Sequence, residues 1–330
     1  MRQHKGMLLT LLMLVSVISL SCGEDEVTLA LDWFPNANHT GLYVAMDRGY
    51  FEEEGIELQV YTPDDPATIL ATVGADKDDF GFEYQVGVLL ARGQGVPVVS
   101  VAAIVQHPLN SVMALESSDI KRPRDLVGKT VGYPGIPTDP PLLRTMLEAD
   151  HVSESATQEV VDGMVNVGFD LVPALISGRV DAIVGAYWTH ESISARNQGF
   201  PLTVLRMEDW GVPDFYELVV VVSENKLRND PKLIERFIRA IKRGYVEAAK
   251  DPASAVEILL KQVPEADPAI DRPGSALLAP LWVEEGIPSF GWQTTEKWSA
   301  MAKWMQNNDF LTSDLRAADA FTNHFIEQSE

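Results

Sequence analysis

Cysteine is nearly absent: Cys22 is the one thiol in 330 residues, so no disulfide can form within the chain. Histidine is scarce too, and the six residues at positions 4, 39, 107, 151, 190 and 324 have no spacing suited to a zinc site. Basic charge is also short, with 26 Lys and Arg against 48 Asp and Glu, a formal net charge of −22. A nucleic-acid partner needs clustered Lys and Arg facing its phosphates, so that class is excluded. The imbalance suits a self-repelling, soluble surface. Catalytic motifs are missing as well. Gly128-Lys129-Thr130 would end a phosphate loop only if glycine stood at 123, where the chain has Pro123. No Gly-x-Ser-x-Gly elbow, internal repeat or low-complexity tract occurs. No catalytic residue, cofactor or metal is expected.

Long apolar runs are also wanting. The one candidate, Met7 to about Leu20, follows Arg2 and Lys5 and precedes the acidic Glu24, Asp25 and Glu26. It is shorter than the roughly 18 to 20 residues of a spanning helix, and residues 1–21 read as a signal peptide. Ser19-Leu20-Ser21-Cys22 resembles a bacterial lipobox, with Ser19 where Leu is usual. That resemblance implies a diacylglycerol on the Cys22 sulfur, anchoring the chain at the cell membrane, on its periplasmic or extracellular side, without spanning it. Loss of residues 1–21 takes Arg2 and Lys5 away and moves the formal charge from −22 to −24.

The remainder exceeds the usual size of a single core, so two lobes are expected. Val27 to Leu31 reads as a strand, Gly41 to Arg48 as a helix, and Ile56 to Val60 as the next strand, a βαβ unit. Asp65-Pro66 starts a short helix ending at Gly74; Asp79 to Phe82 is a strand, Val86 to Gly93 a helix, and Val96 to Ile104 a strand covered on both faces. Val112 to Leu115 and Glu217 to Val222 read as two hinge strands bracketing a middle segment. Within it, Thr130 to Tyr133, Glu159 to Val161 and Val180 to Val184 are predicted strands, and Pro141 to Asp150 a helix. Asp230-Pro231 and Asp251-Pro252 start helices, the first with Leu233, Ile234, Phe237, Ile238, Ile241 and Tyr245 at helical spacing. The tail from Thr294 to Gln328 is predicted helical, with Trp298, Met301, Trp304 and Met305 on a core stripe. The expected architecture is α/β with two lobes joined by two hinge strands. Lobe I comprises 27–112 and 223–330, and lobe II comprises 113–222.

Five loops at predicted strand ends mix aromatics with amides or carboxylates, the composition small-molecule clefts use for stacking and orientation. They are Asp32-Trp33 with Asn38-His39, Glu83-Tyr84-Gln85, His107-Pro108-Leu109-Asn110, Tyr187-Trp188-Thr189-His190-Glu191 and Phe215-Tyr216-Glu217. In open α/β sheets ligands sit beyond the carboxyl ends of the strands. The candidate ligand-binding residues are therefore Asp32, Trp33, Asn38, His39, Tyr84, Gln85, Asn110, Tyr187, Glu191, Tyr216 and Glu217. Glu191 and Glu217 weigh most, since a carboxylate beside a stacked aminopyrimidine accepts hydrogen bonds from its exocyclic amine.

The run from Leu31 to Ala45, with Gly49-Tyr50-Phe51, Glu54-Gly55-Ile56, Ala91 to Val98, His107-Pro108-Leu109-Asn110, Asp125 to Tyr133 and Gly211 to Leu218, resembles the thiamine-pyrimidine family of type II periplasmic binding folds. The resemblance covers most of 27–225 and is strongest to the branch that binds formylaminopyrimidine. It implies an ABC permease and ATPase as partners, a monomeric binding protein, and a ligand such as formylaminopyrimidine or hydroxymethylpyrimidine taken up for thiamine salvage. Its ring would stack on Trp33, Tyr187 or Tyr216, near Glu191 or Glu217. The opening Asp-Trp-Phe-Pro-Asn block is shared with riboflavin-binding relatives, which keeps riboflavin open as a ligand. The fungal-type pyrimidine phosphate synthases of the same family hold pyridoxal phosphate on a lysine and consume a histidine. Aligned without a gap to Gly95-Val96-Pro97, those positions are Glu83 and Gly87, and an internal aldimine needs an amine. A pyrimidine-processing enzyme is the disfavoured reading, and a surface adhesin or scaffold would have no closed cleft.

Overall fold

The computed structural model describes residues 24–168, 170–311 and 315–329. Residues 1–21 and Cys22 lie outside them, so the signal and lipidation readings have no structural counterpart here. Among the described residues no helix is long and apolar enough to cross a membrane.

Among the described residues, ten strands form two five-stranded sheets. They are β1 (Asp25–Ala30), β2 (Ile56–Tyr61), β3 (Phe80–Glu83), β4 (Val98–Val105), β5 (Asn110–Leu115), β6 (Val131–Tyr133), β7 (Val165–Asn166), β8 (Ala182–Tyr187), β9 (Leu202–Arg206) and β10 (Leu218–Ser223). The first sheet has the order β2-β1-β3-β10-β4 and the second β7-β6-β8-β5-β9. Each contains three parallel strands, then one antiparallel to its neighbours on both sides: β10 in the first sheet, β5 in the second. β4 and β10 are buried at every position, which accounts for their nearly continuous apolar content, interrupted by Ser100 in β4 and ended by Ser223 in β10.

The runs expected to be hinge strands each belong to one sheet. β5 pairs only within the second sheet and β10 only within the first, so divisions at 112/113 and 222/223 fall inside strands. The crossings are made by 106–109 and 207–217. An apolar run announces a strand, but its sheet is chosen by partners far away in sequence. Lys297 ties both crossings to the first sheet's side: its Nζ lies 2.6 Å from the Gln106 carbonyl and 2.7 Å from Asp214. His107 bridges Asp214 at 2.9 Å and Glu284 at 3.2 Å, and the hydrogen bond to Asp214 raises its pKa.

The helix Pro231–Lys250 buries Leu233, Ile234, Phe237, Ile238, Ile241 and Tyr245, the predicted stripe. Each such side chain contributes roughly 1.5 to 3 kcal/mol on leaving water. Phe237 stacks on Phe80 with ring centroids 3.8 Å apart. The helix crosses Thr40–Asp47 closely enough that a Cβ on Gly244 would meet the Gly41 carbonyl at 2.1 Å.

Two local expectations change. Glu159 to Val161, expected as a strand, lies in the helix Glu154–Asp162. Ser153 caps it by accepting from the Ala156 amide, and Thr157 and Val160, three apart, face the core. The tail is not one continuous helix: among the described residues it is helical over Thr295–Asn307 and again in the short turns Ala317–Asp319 and His324–Glu327, with Trp298, Met301, Trp304 and Met305 buried as expected. Farther on, Phe321 bridges Ser100: the Ser100 amide donates to the Ala320 carbonyl and the Thr322 amide to the Ser100 carbonyl, covering the edge of β4.

Candidate functional site

A cavity of about 240 Å³ lies beyond the carboxyl ends of β1 and β3 in the first sheet and β6 and β8 in the second. The chain leaving β1 turns through Asn36, which is held by its own capping contacts, and packs Trp33, Phe34, Pro35 and Asn38 along one wall. Tyr84 follows β3 on the same side. Pro134, Ile136, Leu171, Tyr187 and Gly185 form the opposite wall.

Gly185 is the bulged residue of β8, skipped where β5 pairs with Val184 and then Ala186. Its φ is +87°, and a Cβ there would sit 2.6 Å from Pro134 Cδ and 3.0 Å from Asp139 Oδ2. Glycine is the residue this wall admits.

Behind the first wall is a buried polar layer. His39 accepts the Asn36 amide at Nδ1, so its proton sits on Nε2 and is donated to Asp32 at 3.0 Å. The ring stacks on Phe82. Tyr84 donates to the other Asp32 oxygen at 3.1 Å. Glu83 accepts the Tyr84 amide, and burial, reinforced by the charge of Asp32, pushes its pKa up to about 8. Burial and these carboxylates hold the hydroxyls of Tyr84 and Tyr187 well above their ordinary pKa, so both remain donors.

Glu217 is placed where the crossings meet. It accepts from the Leu109 and Asn110 amides and, at 2.9 Å, from the Tyr187 hydroxyl. Burial raises its pKa to about 7 against these hydrogen bonds. Asn110 donates to Asp139 at 3.2 Å, and burial brings Asp139 to about 7. On the second sheet's side, Glu191 accepts the Tyr187 amide and contacts His190 Nδ1, both at 2.7 Å. Burial opposes protonation of His190, but Glu191, Asp271 and Asp267 outweigh it and raise the pKa.

Of the residues expected from sequence, Trp33, Asn38, Tyr84, Tyr187 and Glu191 line the cavity. Asp32, His39, Asn110 and Glu217 form the layer that positions them. Gln85 and Tyr216 are turned away. Gln85 accepts the Tyr216 amide and donates to the Lys297 carbonyl. The Tyr216 hydroxyl accepts the Thr294 amide at 2.7 Å, and its ring is held between Trp298 and Lys297.

Sequence reasoning missed the wall residues Pro134, Ile136, Leu171 and Gly185, and the mouth formed by Glu265, Ala266, Asp267 and Asp271. The mouth had a signal. Asp267-Pro268 opens the helix Pro268–Trp282 with the same dipeptide that marks the two helices before it, and Asp271 on that helix accepts the Ala37 amide.

No Lys or Arg lines the cavity, and among the described residues no group of three His, Cys, Asp or Glu is placed to share a metal. Stacking surfaces and many acceptors suit a small aromatic ring carrying N–H groups. Residues 36–255 match the model of the NMT1/THI5 like family. The chain belongs to this family. A formylaminopyrimidine-binding protein of Halalkalibacterium halodurans is 37% identical, covering 96% of this chain and 97% of that one. A 4-amino-5-hydroxymethyl-2-methylpyrimidine phosphate synthase of Legionella pneumophila is 24% identical over 94% of this chain and 95% of its own. The chain is thus similar both to a binding protein and to a synthase. In structure, the alkanesulfonate-binding protein SsuA of Xanthomonas axonopodis pv. citri superposes with a TM-score of 0.68, at 15% identity, over 90% of this chain and 98% of that one. This is the expected two-lobed periplasmic binding fold.

Proposed function

We propose that the chain is the substrate-binding lipoprotein of an ABC importer. It holds a thiamine-related aminopyrimidine, formylaminopyrimidine or hydroxymethylpyrimidine, between its two sheets and is tethered through Cys22. The observation that carries this reading is the cavity itself, where Trp33, Tyr84 and Tyr187 offer ring faces while Asn38 and Glu191 offer acceptors from opposite sheets. A ligand that touches both walls favours the closed arrangement by its differential affinity. Binding rather than synthesis is supported by Glu83, which the ungapped alignment sets at the synthase lysine. The Gly87 position supports it too: a Cβ there would lie 2.7 Å from Glu83 Oε1, leaving no room for a histidine without rearrangement.

The test is thermal denaturation of the mature protein with formylaminopyrimidine, hydroxymethylpyrimidine, thiamine and riboflavin. A ligand at one hundred times its Kd stabilises by about 2.7 kcal/mol. Stabilisation by the free pyrimidines, with ligand recovered at unchanged mass, is the expected result. No stabilisation by any of the four removes the ligand class, riboflavin alone moves the chain to flavin binding, and altered ligand mass makes it an enzyme.

A further inference from the structure

Four carboxylates line the cavity and no guanidinium or ammonium group does. Glu191 lies inside, Asp271 is buried behind the Asn36 turn, and Glu265 and Asp267 stand exposed at the mouth. The partners seen for three of them are backbone amides: Tyr187 for Glu191, Ala37 for Asp271 and Ala269 for Asp267. These orient the carboxylates without cancelling their charge; the ion pair with His190 offsets one negative charge and leaves the set net acidic. His190 is the one lining side chain able to carry positive charge, and it is paired to Glu191. Asn38 supplies an independent observation. It is 6% exposed, lines the same cavity, and its Oδ1 has no hydrogen-bond partner. A buried acceptor left unpaired beside a cavity is costly unless a donor arrives with the ligand.

Building on the aminopyrimidine reading, we infer that the preferred ligand is an aminopyrimidine whose side arm ends in a free, protonated amine, and that the phosphate ester of the same ring is rejected. The N–H groups of the exocyclic 4-amino substituent meet Asn38 and Glu191, and the ammonium arm meets the acidic mouth. A cleft lined by one sign of charge concentrates ligands of the other. The same field that draws in an ammonium group repels a phosphate, and a formylated or hydroxymethylated arm, being neutral, falls between them.

The experiment is calorimetric titration of the mature protein with 5-aminomethyl, 5-formylaminomethyl, 5-hydroxymethyl and 5-phosphooxymethyl forms of 4-amino-2-methylpyrimidine. The expected order is amine, then the two neutral arms about tenfold weaker, then the phosphate weaker by at least another factor of about 100. Raising the salt from about 0.05 to 0.5 M narrows the gap between amine and neutral arm, because screening shortens the reach of exposed charge. The double variant Glu265→Gln with Asp267→Asn retains a good helix cap at 267 and lowers the affinity of the amine at least about fivefold more than that of the hydroxymethyl compound. If the neutral compounds bind and the amine binds no better, or if the double variant leaves their ratio unchanged, the inference falls while the aminopyrimidine reading stands. If none of the four binds, both fall.

Discussion

Replacing Glu217 by Gln removes a buried charge from the junction of the two crossings, and the structure predicts that the protein gains stability at alkaline pH. In the folded chain the Glu217 pKa is raised from 4.5 to about 7 by burial. Folding therefore favours its protonated form. The sign follows: the group's contribution is fully present below pH 4.5 and is lost as the pH rises through 7. A rise of that size corresponds to roughly 3 kcal/mol between acid and alkaline conditions. Gln imitates the protonated acid, since its carbonyl can take the Leu109 and Asn110 amides while its NH₂ donates to the Tyr187 oxygen. The variant should match the wild type to within about 1 kcal/mol at pH 5, where one imperfect hydrogen bond is the difference. It should exceed the wild type by about 2 to 3 kcal/mol at pH 8. Urea denaturation of both proteins at pH 5, 6, 7 and 8 reads this directly, since a change of that size moves the midpoint by about 1 M. A variant equally destabilised at both ends of the range would show that Glu217 is ionised throughout and that its charge is compensated in the fold.

Three further outcomes are expected. Gly185→Ala places a methyl group against Pro134 at a left-handed φ and should cost about 2 to 3 kcal/mol, seen as a lower Tm; an unchanged Tm would mean that the bulge in β8 is relaxed. Trp33→Ala should weaken binding of the pyrimidine at least tenfold, whereas Tyr216→Phe should alter it less than about threefold while costing about 1 kcal/mol of stability through the lost Thr294 contact; calorimetry and denaturation on the same samples separate the two, and the reverse pattern would move the stacking face to Tyr216. Cys22→Ser should shift the protein from the membrane fraction to the soluble fraction of cells, and retention at the membrane would exclude the acyl anchor at that residue.

What the sequence discloses depends on how local the cause is. β4, β10 and the helix Pro231–Lys250 were legible because each is written in a continuous apolar run or a stripe of period 3.6. Glu159 to Val161 was not: two adjacent valines signal a strand, while the Ser153 cap and the burial of Thr157 and Val160 decide for a helix. The allotment of β5 and β10 to opposite sheets rests on pairing across long stretches of chain, which no window of sequence contains. The site divides the same way. Loops at strand ends carry Trp33, Tyr84 and Tyr187, which line the cavity, but nothing in Phe215-Tyr216-Glu217 says that the tyrosine is captured by Thr294 and Trp298, some eighty residues farther along the chain. Gly185 matters for the side chain it lacks, and that becomes apparent only once Pro134 is in place.

The position of β10 bears on how the molecule is made. This strand lies between β3 and β4, yet it is synthesised after the whole of the second sheet. Until residue 223 has emerged from the ribosome, β3 and β4 have no strand between them, and the edge of β4 stays open until Gly291 and then Phe321 arrive to bridge Ala103 and Ser100. Such long-range closure is slow to nucleate. The second sheet, by contrast, is continuous from 110 to 206 and can assemble on its own schedule. Consolidation of the first sheet is therefore deferred until the second sheet has been made and residues 218–223 can enter between β3 and β4.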